Sequence, residues 1–193
     1  MAHNMDHAQD EHKEHQGRNM NQKQQSRYVT FAIMIATSMV VMFGLMYLNT
    51  YEFSHVQFSE TRFYMTFIMG AAMSVIMLSL MRGMYSNTKI NLAIYLGSLL
   101  VFLAALFLVR SQILVGDSSY MRAMIPHHSI AILTSENAQI EDVRVRELAD
   151  AIIDAQRREI AEMNWLLSDI AENGIASTQA EAEARPIPEF GSE

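Results

Sequence analysis

The chain has 193 residues, a formal net charge of −7, no cysteine and 16 methionines. Without cysteine there are no disulfides and no thiolate metal sites. The acidic balance argues against general nucleic-acid binding, which needs a basic surface. Half of the residues are hydrophobic, yet the mean hydropathy is only slightly positive, because very apolar segments alternate with very polar ends.

Residues 1–27 set His3, His7, His12 and His15 among polar neighbours with no apolar period. That pattern predicts a disordered tail, and a His-rich tract can also take up metal. It is too long and too acidic before the first apolar run for a secretory signal. Three uncharged runs follow, at 28–48, 63–81 and 90–109, each 19 to 21 residues long. At about 1.5 Å per residue each is long enough to cross a bilayer core. Helices of soluble proteins seldom stay uncharged on every face. Residues 28–110 are therefore expected to form three transmembrane helices, with the lipid bilayer as their partner.

Orientation follows from Lys and Arg in the short flanks. Arg18, Lys23 and Arg27 precede the first run, and Arg82 and Lys89 lie between the second and third. The intervening loop, 49–62, has only Arg62 against Glu52 and Glu60. The N-terminus and second loop are thus expected inside the cytoplasm, and the first loop and C-terminal region outside. No charge lies within any run, so ion pathways built on intramembrane charge lack support. The second run carries Met65, Met69, Met73, Met77 and Met81, and the first carries Met34, Met39, Met42 and Met46. A row spaced by four drifts about 40° per step around a helix. Adaptable packing and lipid contact explain it better than a thioether ladder for Cu(I).

Residues 117–172 read as a helical hairpin, with helices at about 118–138 and 142–172. Asp117 and Ser118 are candidate N-caps, and Asn173-Gly174 is a candidate stop. The apolar stripe of the second helix is expected at Leu148, Ile152, Ala155, Met163, Leu166 and Ile170. Residues 173–193 read as a flexible acidic tail. A hairpin this short is marginal alone, so it is expected to pack on the third span or to pair with a second copy.

The chemistry-bearing stretch is MRAMIPHHSI, residues 121–130. At about 100° per residue, Met121, Met124 and His128 share one helix face, and His127 is also within reach of Met124. Pro126 removes a backbone donor and is expected to kink the helix. On the second helix Gln156, Glu159 and Met163 share the packing stripe, where polar groups need partners. Thioether with imidazole suits copper; ordinary core packing explains the same spacing. No Ser-His-Asp order, carboxylate triad or Gly-rich phosphate loop stands beside these residues, so no enzyme is expected. Glu52-x-x-His55 has the spacing of a di-iron motif, but lies in a short loop and reads as chance.

MRAMIPHHSIAILTSENA followed by LADAIIDAQRREIAEMNWLL resembles the domain-of-unknown-function family 305. The matching positions are Met121, Met124, His127, His128, Gln156, Glu159, Ile160, Met163, Trp165 and Leu166. Trp165 falls one residue early, and Thr134 stands where many members carry a further Met. The resemblance implies an all-α, ferritin-like half bundle, here an extracytoplasmic, periplasmic hairpin behind three transmembrane helices. It also implies copper, Cu(I) before Cu(II), held by Met121, Met124, His127, His128, Glu159 and Met163, with Gln156 in support. The function so implied is copper storage, buffering or delivery at the membrane. The competing expectation is a structural or assembly subunit of a larger membrane complex with no metal role.

Overall fold

The computed structural model describes residues 2–191, with side chains at residue 20 and from residue 22 onward. All described secondary structure is helical. The α-helices are α1 (Ala2–Leu45), α2 (Glu60–Leu80), α3 (Thr88–Ser111), α4 (Asp117–Asn137), α5 (Val143–Asn173) and α6 (Gln179–Ala184). Single 3-10 turns stand at Phe53–His55 and Arg82–Met84. The chain divides into two compact units. One takes α1 up to Met42 together with Met65–Phe107; the other takes Phe43–Tyr64 and the described chain from Leu108.

The stretches Gln22–Leu45, Glu60–Leu80 and Thr88–Ser111, most of each in the first unit, are long and apolar enough to cross a membrane. Their shared core is Phe31, Ile35, Leu78 and Tyr85, with Met34, Met39, Met73, Met77 and Met81 packed against it. Gly70 leaves room for the Met39 thioether, the close approach that small residues allow between spans. At one end Tyr28 donates to Asn91 Oδ1 at 2.7 Å, and Arg27 donates to the Met84 carbonyl at 3.1 Å. That end therefore gathers two of the positive flanks. The outer face of α3, with Leu92, Leu96, Leu99, Leu100 and Leu103, is exposed.

Residues 2–27 continue α1 back to Ala2. No proline interrupts them, and Ala, Gln, Glu, Lys and Met propagate a helix that the apolar span has already nucleated. His3, His7, His12 and His15 lie outside the described side chains.

The second unit is the hairpin and what closes on it. Helices α4 and α5 fall within one residue of expectation. Their core is Met121, Ile125, Ile132, Ile153, Ile160 and Met163, with Ile125 and Ile132 essentially inaccessible. Helix α4 runs unbroken through the buried Pro126. Gly116, not Asp117 or Ser118, is the N-cap of α4, without a side-chain bond. On α5 the buried stripe is Ala149, Ile153, Ile160 and Met163, while Leu148 is exposed. The first half of the expected stripe was therefore one residue, about 100°, out of register. Leu148 and Ile152 mark the flank, and the seam there takes Ala149 and Ile153.

Two features were not anticipated. The loop between α1 and α2 packs on the hairpin through Tyr51 N, which donates to Ser129 Oγ at 2.7 Å, and the first residue of α2 joins it, Glu60 Oε1 accepting from Ser119 Oγ at 2.6 Å. The tail expected to be flexible folds back instead. Gly174, at φ 78°, ends α5 in a conformation that only glycine adopts readily. Thr178 and Glu181 form a capping box that starts α6. Arg185 then pairs with Asp169 of α5 at 2.7 Å.

Candidate metal centre

The seam between α4 and α5 gathers most of the residues singled out from the sequence. His128 is half-buried, and its Nδ1 lies 3.0 Å from Glu159 Oε2. The contact lacks the alignment of a hydrogen bond, so this buried nitrogen has no hydrogen-bonding partner among the described residues. Met124 precedes His128 by one turn, and Met163 follows Glu159 by one turn. In an antiparallel hairpin this sets the two thioethers level, about 6 Å along the axis from the His128–Glu159 rung. Met121 lies about 4.5 Å further along α4. Met121 and Met163 are buried, and the half-buried Met124 packs against the same cluster.

The other candidates stand apart. His127 is exposed, with its ring centroid 5.9 Å from that of His128. Gln156 is half-buried, and Glu159 keeps 40% of its side chain accessible. Thr134 is exposed and turns its hydroxyl back to the Ile130 carbonyl at 3.0 Å, so it takes no place on the seam.

Burial lowers the His128 pKa; the Glu159 carboxylate opposes this and His127 adds to it. Burial thus weighs toward the neutral imidazole and the Glu159 contact toward the charged one. Among the described residues no three His, Asp or Glu side chains gather closely enough to hold an ion on their own. A cation on this seam would have to draw on sulfur. The thioethers of Met121, Met124 and Met163 cluster beside the His128–Glu159 rung.

Sequence reasoning missed the other flank of the seam. Ser129 is fully buried, receives the Tyr51 N–H, and lies 2.9 Å from His55 Nδ1. His55 Nε2 faces Glu52 Oε2 at 3.8 Å. The Glu52-x-x-His55 spacing, read as chance, thus belongs to the loop's docking on α4. The available signal was Ser129 itself, a polar residue between Ile125 and Ile132 on a buried stripe, where it needs a partner.

The sequence pattern described as domain of unknown function, DUF305, matches residues 117–189. The chain belongs to this family. An uncharacterized protein of Acanthamoeba polyphaga mimivirus is 35% identical over 109 residues, which cover 55% of this chain and 70% of that protein. No solved structure matches the chain. The DUF305 match takes in the returning tail as well as the hairpin. Arg185 and the α6 capping box therefore fall inside the family's domain, along with the Met and His residues of the seam.

Proposed function

We propose that this DUF305 protein is a membrane-anchored copper-binding protein that stores, buffers or delivers copper outside the cytoplasm. The observation that carries the reading is the seam: His128 with an unbonded Nδ1 against Glu159, one turn from level Met124 and Met163. Met121, Met124 and Met163 favour Cu(I) over Cu(II), and His128 accepts either. Glu159 balances charge, Gln156 supports it from the preceding turn, and exposed His127 stands beside His128 at the edge of the site. No residue is assigned a catalytic role.

The spans anchor the hairpin, with the N-terminus in the cytoplasm. The gathering of Arg27 beside the Arg82–Met84 turn supports that orientation. Copper content is the direct test. Protein purified from membranes without added copper should carry it, and Met124→Leu and His128→Ala should each lose most of it. Copper retained in full by both variants would overturn the site.

A second reading, a structural or assembly subunit, draws on exposed Val145 and Leu148 at the start of α5. They form an apolar surface that a second copy or a larger membrane complex would cover. In that case the seam is packing alone, and both variants leave the protein's membrane partners unchanged.

A further inference from the structure

Beside the seam, within the same unit, lies a cavity of about 700 Å³. Met121 and Met163 line its floor, and Ile175 and Ile187 of the returning tail line its opposite wall. His128 and Glu159 are not among its lining residues. The tail is strapped down at one point. Arg185 Nη1 meets Asp169 Oδ2 at 2.7 Å, and both Nη atoms donate to the Gly174 carbonyl at 3.3 Å. The carboxylates of Asp117 and Glu183 also border the cavity and are exposed. Arg185, the cation there, is neutralised by Asp169.

We propose that this cavity is the port through which a soft monovalent cation reaches the thioethers of Met121 and Met163. The strap from Ile175 to Ile187 is its cover, and the Arg185–Asp169 pair is the latch. The identity of the ion rests on the copper reading above; the cover does not. On the Ser129 flank the α1–α2 loop covers the seam with Tyr51 and His55. The cavity side offers buried sulfur, a mouth of negative potential that draws cations, and walls apolar enough to strip water from an ion with little affinity for it. A strap held by one partly buried ion pair and two long hydrogen bonds opens at low cost compared with the hairpin core.

The test uses the full chain in detergent and reads methionine oxidation by hydrogen peroxide, residue by residue, through peptide mass spectrometry. Met84, exposed and in the other unit, is the internal standard. In Arg185→Ala, Met121 and Met163 should oxidise about fivefold faster than in the parent chain, with Met84 unchanged. Transfer of bound Cu(I) to a competing chelator should quicken by a similar factor, with equilibrium affinity unaltered. Arg185→Lys keeps the charge but not the paired contact with Gly174, and should give an intermediate rate. It also serves if the Ala variant does not fold. Oxidation rates equal to the parent's in a folded variant overturn the cover. Faster oxidation with unchanged Cu(I) transfer overturns the port. Parent protein that takes up no Cu(I) or Ag(I) overturns the copper reading, while the oxidation ratio still decides the cover.

Discussion

At the scale of single residues, Ser129 does more for this unit than its size suggests. Its hydroxyl accepts the Tyr51 N–H at 2.7 Å and meets His55 Nδ1 at 2.9 Å, with no solvent access. Ser129→Ala leaves a backbone N–H and an imidazole nitrogen without their partner. The cost of such orphaned groups is about 1–3 kcal/mol. We expect chemical denaturation of the full chain in detergent to show a loss of that size, and protease cleavage within 49–59 to speed up. A variant as stable as the parent, with a loop as resistant, would show that the contact adds nothing. The same residue marks where the sequence was hard to read. Its partners lie more than 70 positions away, and no local period encodes them. The shared face of Met121, Met124 and His128 was legible because helical spacing alone sets it, and Met163 was legible from the packing stripe of α5. The exposure of His127 was not, because adjacent residues on a helix differ by about 100°.

At the scale of elements, the hairpin was readable and its caps only partly so. Asn173-Gly174 stops α5 as expected, but α4 starts at Gly116 without a side-chain cap. The two caps that do form carry a pH signature. Asp142 is held below the ordinary carboxylate range by the Arg144 side chain and then by its backbone N–H. Glu181 is held low by the backbone N–H groups of Ser177 and Thr178. A carboxyl whose folded pKa is depressed contributes its stabilisation above the unfolded value and loses it as pH falls through the folded one. Acidification below about pH 4, the ordinary carboxylate value, should therefore release the start of α5 and the α6 turn before the hairpin core melts. Amide exchange at Arg144, Ser177 and Thr178 is the measurement. Protection there that persists until global unfolding would contradict it. The strap was missed for a related reason: the acidic composition of 173–193 concealed Thr178-x-x-Glu181, a four-residue signature that a search for capping boxes would find.

At the scale of the molecule, the three spans were the most legible part, since 19 to 21 uncharged residues leave few alternatives. The long helical extension before the first span was not legible, because a polar stretch without an apolar face looks the same whether or not a neighbouring span continues through it. The sidedness of the chain is testable as a unit. A reporter active only outside the cytoplasm should work when fused after residue 172 and fail when fused between 82 and 87. The reverse pattern would put the hairpin in the cytoplasm.

The loop between α1 and α2 belongs to the hairpin's unit while both of its ends are drawn from spans. The hairpin's unit is therefore not contiguous in sequence: residues 43–64 lend it the Tyr51 N–H and the His55 ring, and the stretch from residue 108 onward taken alone would leave the buried Ser129 hydroxyl without either partner.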